Sequence, residues 1–353
     1  MIQAFENRLR SISRFNYWTL LLFWAAIRVG VSPIGKEWFG WLLEASKAFP
    51  EASSYISYSP IPVLILKILG FSSPLIWWTL WLILDVSWLI FCFSRIEKKY
   101  GESARILQLI LVMSQSVMVN LTMVGHYDNL IFIAGTTLLL FDGKIIYFLS
   151  AFLVGGANPY IGFASGVCFL FYYFYSKNLK HFQIALSWLF INLGYLIATH
   201  TWYFAPISGT RESIVFGQLW VVIKGSLGVW WFIPLTVLGP LTFIFGYLIN
   251  EEFSNATGKL KLRLLSLLTA IFIIPTGMTY LILDHTRIGV STGGIVLLLY
   301  IFENHYRISN LTRKHKLPVL SMLFAIWILT PPLIVDSGGV FRLPYLKYLQ
   351  ILG

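Results

Sequence analysis

Long apolar runs separated by short polar connections recur along the whole chain. Runs such as "FNYWTLLLFWAAIRVGV" and "LIWWTLWLILDVSWLIFCF" are long enough to cross a hydrocarbon core of about 30 Å as helices. In lipid every backbone N–H and C=O must be satisfied internally, which leaves helices or a closed barrel. These runs lack the strict alternation of a barrel strand, so they read as helices. The pattern predicts an all-α, polytopic transmembrane helical bundle of about eleven spans, a single integral membrane domain over residues 1–353. The spans fall near 17–33, 74–94, 106–124, 128–142, 145–157, 160–176, 183–199, 229–249, 264–283, 288–302 and 317–335. Those at 128–142 and 145–157 are short and require tilting or shielding by neighbours.

Between the first two spans lies a long loop, residues 34–73. In "EWFGWLLEASKAF", Trp38, Trp41, Leu42, Ala45 and Phe49 recur at helical spacing. That spacing predicts an amphipathic helix lying in the membrane interface. The piece "SPIPVLILKILGF", 59–71, reads as re-entrant or interfacial. A full crossing there would carry the basic loop after Arg95 to the wrong side.

Composition agrees with this class. The chain is 57% hydrophobic and only 12% charged, against about a quarter charged in soluble domains. With the N-terminus in the cytoplasm, the N-terminal arm and five cytoplasmic connections hold 17 of the 26 Lys and Arg residues. The net charge of +11 is therefore a positive-inside signal rather than one for nucleic acid. Cys92 and Cys168 fall inside apolar runs, so neither a disulfide framework nor a zinc cluster is expected. The first apolar run follows "ENRLRSISR" without a small-residue cleavage site and reads as a retained anchor. There is no Walker A loop, dinucleotide fingerprint, H-E-x-x-H or G-x-S-x-G. An ATP-driven pump would have no motor in this chain.

Scarce charge makes its placement informative. "GHYDN" puts His126, Tyr127, Asp128 and Asn129 in one very short outer connection. Asp128 or Asn129 as the cap of the next helix is one reading; four polar groups at membrane depth favour a functional one. "LDHTR" brings Asp284, His285 and Arg287 to a second outer connection. The planar guanidinium fork suits phosphate oxygens, and a neighbouring His adds a donor. Arg211 and Lys224 can add to the same field. In the first loop Glu37 is the carboxylate nearest the bundle's mouth, while Glu44 and Glu51 read as solvated. Asp85 lies mid-span, with Arg28 as its expected partner. Carboxylates flanked in sequence by His or Arg recur only on the outer face, which places the chemistry on that side.

The acidic "IGKEW", the stretch "YSPIP" from Tyr58 to Pro62, and "HYDN" from His126 to Asn129 together resemble motifs of the GT-C membrane glycosyltransferases. The resemblance is nearest to the lipid-phosphate-glucose-dependent glucosyltransferases of N-glycan assembly. It covers roughly the N-terminal 160 residues plus "LDHTR". Glu37 stands where that family carries a first-loop Asp. The resemblance implies a sugar donor linked to polyprenyl phosphate, used on the non-cytoplasmic face of what would be a prokaryotic plasma membrane. It implies Glu37 as base, with Asp128 as substitute, and Arg287, His285 and Arg211 around the leaving phosphate. His126, Tyr127, Asn129, Asp284, Tyr58 and Trp202, with Tyr203, would then contact substrates.

The partners expected are the lipid-linked sugar, the bilayer and a glycan or lipid acceptor, with no nucleic acid. No cofactor is required. Glu37 and Asp128 are chemically compatible with a divalent metal, but their spacing does not demand one. A transporter or flippase for a lipid-linked or anionic solute, and a non-catalytic membrane subunit, remain as alternatives.

Overall fold

The computed structural model describes residues 2–32, 35–49, 59–199, 224, 233–254, 256–279, 285–315, 317–330, 333–336 and 339–342, with backbone alone at some, including His285. Helices α1 (Ile2–Ser11) and α2 (Arg14–Val29) open the chain, with the Ser13 side chain accepting from Asn16 N between them. The long first loop holds α3 (Lys36–Ala48) and α4 (Pro60–Leu69). The buried face of α3 is Phe39, Leu42, Ala45 and Ser46, one position round from the expected stripe. Trp41 is accordingly exposed.

Helix α5 (Pro74–Tyr100) reverses at Gly101, whose φ of 50° suits glycine, into α6 (Ala104–Met113). The reversal is explicit in Gln108, which donates to the Phe93 carbonyl at 2.9 Å. Next come α7 (Gln115–Thr122), α8 (Asp128–Leu140), α9 (Lys144–Ala157), α10 (Pro159–Ser176) and α11 (Leu179–Ala198). Asn158 caps α10 by accepting from Ile161 N, and Pro159 occupies its first turn, where a missing N–H costs nothing. Gly162 and Gly166 let α10 approach α11; a Cβ on Gly162 would overlap the Asn192 amide.

The later part comprises α12 (Ile233–Leu238), α13 (Thr242–Ser254), α14 (Gly258–Leu268), α15 (Ile274–Thr279), α16 (His285–Gly289), α17 (Ile295–Glu303), α18 (His305–His315) and α19 (Val319–Leu329). Wide π-turns join α14 to α15 (Thr269–Ile273) and α16 to α17 (Val290–Gly294). Pro275 has no N–H to give the Ile271 carbonyl four residues earlier, which is reason enough for the first of these. The second packs on it through Gly293, where a Cβ would lie 2.6 Å from that same carbonyl. The expected span 317–335 stops at Leu329, because Pro331 and Pro332 follow and cannot extend a helix. A short antiparallel hairpin, Leu333–Asp336 with Gly339–Arg342, comes after it; it is the departure from an all-helical chain among the described residues.

Among the described residues, three stretches are long and apolar enough to cross a membrane: Pro74–Met113, with its reversal, Leu179–Ala198 and Gly258–Met278. Arg287–Glu303 with His305–Leu311, bent by 57°, would make a fourth. Among the described residues the shorter apolar helices are Pro60–Leu69, Asp128–Leu140, Lys144–Ala157 and Val319–Leu329, and a break at Ser114 divides the expected span 106–124. Outward faces carry Phe23, Ile83, Phe91, Phe148, Phe190 and Phe243, where a water-soluble surface would carry charge. Helices α6, α8 and α17 are buried on nearly every side and form the inner layer.

Candidate functional site

Helices α5 and α8 run side by side in the same direction. Trp77 meets Gly125, Asp85 meets Asn129, Trp88 meets Thr136 and Lys99 meets Leu139. One end of this pair therefore carries "GHYDN" and the other carries Asp142, about 20 Å away along thirteen helical residues. The polar connection is held in place by backbone. Ser32, just past α2, donates to Leu121 O and accepts from Val124 N. Gly125, at φ 92°, presents its carbonyl to the Trp77 indole at 3.0 Å. A Cβ at Gly125 would press on Trp77 and Trp78 at 3.1 and 3.2 Å.

The expected helix cap at this connection is not what forms. Tyr127 occupies the cap position without a side-chain cap bond. Asn129 turns inward instead and donates from Nδ2 to Asp85 Oδ2 at 2.5 Å, with both residues buried. Arg28, expected to pair with Asp85, donates to the Thr330 carbonyl. The α5–α8 register explains the exchange: it brings Asn129 opposite Asp85, and an amide satisfies a buried carboxyl without adding a second charge.

Asp128, His126 and Arg287 meet on the outward side of this pair. Asp128 Oδ2 lies 3.1 Å from His126 Nδ1 and 3.4 Å from Arg287 Nε. An Arg287 terminal nitrogen lies 2.8 Å from His126 Nε2. Arginine can only donate, so Nε2 accepts in this contact, while Nδ1 lies beside the Asp128 carboxylate and 3.4 Å from the Asp128 backbone N–H. His126 and Asp128 are each only 3% exposed. The Arg287 guanidinium also lies over the Tyr127 ring at 5.7 Å. Trp38 of α3 covers the group from the first loop, its ring 4.8 Å from that of His126. Beneath Asp128 a cavity of about 10 Å³, bordered by Ser116, Asn120 and Ser291, has room for a single water.

Of the residues expected at the site, the structure joins His126, Tyr127, Asp128, Asn129 and Arg287. Glu37 stands one residue from Trp38, in the first turn of α3. It is exposed and makes no hydrogen bond or ion pair among the described residues. Tyr58, Arg211, Trp202, Tyr203 and Asp284 lie outside the described residues, as does the His285 side chain. Lys224 is exposed. No group of three His, Cys, Asp or Glu able to hold a metal ion is present among the described residues. Trp38 and Trp77 were not expected here; the signal for Trp38 is its place beside Glu37 in "KEW".

Acid–His and acid–Arg contacts in space are not confined to this end. At the opposite end His181 Nε2 lies 2.8 Å from Glu303 Oε1, and Tyr172 donates to Glu303 Oε2 at 2.6 Å. Glu252 accepts from Arg307, Tyr175 and Tyr300, and Asp142 bridges Lys180 and Lys99. These partners are far apart in sequence, so inspection of neighbours along the chain cannot find them.

Comparison with protein-family models, curated proteins and solved structures finds no match for this chain.

Proposed function

We propose that the protein is a multi-pass membrane glycosyltransferase of GT-C type, taking a sugar from a polyprenyl-phosphate donor to an acceptor hydroxyl on the non-cytoplasmic face. The observation that carries the proposal is the meeting of Arg287 with His126 and Asp128 under Trp38 of the first-loop helix, the residue next to Glu37 in sequence. In this reading the short helices complete about eleven crossings. The pole with Lys99, Lys180 and Arg307 faces the cytoplasm, and the His126 pole faces out. A lipid-borne donor arrives laterally, so no nucleotide pocket is needed.

The chemistry asks two things of such a site. A departing phosphate monoester needs a cation where its charge develops, which is the role of Arg287. The attacking hydroxyl needs a proton acceptor, and the groups available for that role are Glu37, Asp128 and His126. Transfer by purified protein of a labelled sugar from its polyprenyl phosphate to a hydroxyl acceptor tests the assignment. Absence of transfer across a panel of sugars, with the protein folded, would sink it. The bent and π-interrupted helices around Arg287 favour one second reading, a transporter of an anionic or lipid-linked solute; flux without transfer in proteoliposomes distinguishes it.

A further inference from the structure

The arrangement of His126 carries more than a binding role. Its Nδ1 lies 3.1 Å from the Asp128 carboxylate, and its Nε2 accepts from Arg287. A carboxylate behind an imidazole fixes the tautomer and stabilises the imidazolium that forms when Nε2 takes a proton. Nε2 would therefore be a competent base, except that the cation needed for the phosphate already covers it.

We infer that Arg287 is a latch on His126: capture of a phosphate ester by Arg287 uncovers His126 Nε2, which then accepts the proton of the attacking hydroxyl. The catalytic sense of this coupling rests on the transferase reading. As the hydroxyl oxygen bonds to the anomeric carbon, its proton passes to Nε2. The bond from that carbon to the phosphate oxygen breaks, and the electron pair leaves with the polyprenyl phosphate. Asp128 is then a positioning residue that steadies the imidazolium, and Glu37 orients the acceptor. The latch also has a use when no donor is present: a covered Nε2 cannot activate water.

Among the described residues, the charged and titratable groups facing His126 include Asp128 and Tyr127 from its own segment and Arg287 from α16; Trp38 of α3 adds an uncharged ring. Removal of the guanidinium takes a positive charge from the ring, which raises the affinity of Nε2 for a proton.

The test is ¹⁵N NMR of the full chain in detergent micelles, with labelled histidine and His126→Gln to assign the signal. Inorganic phosphate and a short polyprenyl phosphate are titrated separately. The lipid phosphate is expected to raise the titration midpoint of His126 by about one pH unit. Arg287→Ala is expected to start at the raised midpoint and to ignore the ligand. A midpoint unmoved by either ligand, or moved by inorganic phosphate only, overturns the latch, and the wild-type protein alone decides this if Arg287→Ala does not fold. Sugar transfer is assayed on the same samples. Transfer without a shift rejects the latch and leaves the enzyme, whereas a shift without transfer rejects the enzyme and leaves an anion-coupled histidine.

Discussion

Asn129 Nδ2 donates to Asp85 Oδ2 at 2.5 Å between two helices whose neighbouring side chains are almost all apolar. The bond matters more for what its loss would strand than for its own strength. Asp85→Ala leaves the amide of a fully buried Asn129 without this acceptor, at a cost of about 1–3 kcal/mol. Asp85→Asn keeps an acceptor oxygen and should cost less. Thermal unfolding in detergent is expected to rank the three proteins wild type, Asp85→Asn, Asp85→Ala. If Asp85→Ala melts with the wild type, the pair is not a staple of the site.

The two rim charges divide the reaction differently. Glu37→Gln is expected to abolish transfer while insertion and purification are unchanged, because the exposed side chain supports no packing. Wild-type turnover in that variant removes Glu37 from the mechanism. Arg287→Ala should weaken binding of the lipid-phosphate donor far more than that of the acceptor, and a tenfold loss corresponds to about 1.4 kcal/mol. Equal losses for both substrates would contradict the phosphate assignment.

How much of this was legible in the chain depends on the range of the interaction. Local signals held: the chain breaks between the segments expected at 145–157 and 160–176, and the "EWFGWLLEASKAF" stretch is helical over Lys36–Ala48. "GHYDN" was recognisable because polar groups are scarce there. That Arg287 would come to His126 spans 161 residues of sequence, and that Asn129 rather than Arg28 would meet Asp85 depends on the parallel register of α5 and α8. No periodicity in either segment encodes that register. The π-turns at Pro275 and Gly293 and the end of the last helix at Leu329, before Pro331 and Pro332, follow from single residues whose effect is geometric and slight in any hydropathy profile.

Asp142, at the opposite pole, gives a pH dependence. Burial pushes its carboxyl up, but Lys180 at 2.5 Å and Lys99 at 3.7 Å outweigh that and hold it below the usual aspartate range. A carboxylate with a lowered folded-state value stabilises the fold above the unfolded value of about 3.9, and that contribution disappears as pH falls through the folded value. Its side chain is 57% exposed, so the contribution is expected to stay under about 1 kcal/mol. Asp142→Asn should melt slightly below wild type at neutral pH, with the difference closing in acid. A gap that widens on acidification would reverse the assigned direction.

The contact of the two π-turns is the most demanding packing in the later helices. A Cβ at Gly293 would sit 2.6 Å from the Ile271 carbonyl oxygen and 2.6 Å from Pro275 Cγ. One of those neighbours is backbone and cannot rotate away. Gly293→Ala is expected to cost about 1–3 kcal/mol through overpacking. Pro275→Ala removes the ring and returns an N–H able to bind Ile271 O, so it should relieve part of that cost and leave the carbonyl contact. The double variant should therefore be more stable than the sum of the single changes implies, as expected for residues that touch. Melting of all four proteins measures the coupling, and strict additivity would show that the two turns do not bear on each other. Arg287 lies three residues before the second turn. Gly293→Ala is therefore expected to weaken donor binding as well as stability, while Pro275→Ala alone, on the far side of the contact, leaves binding closer to wild type.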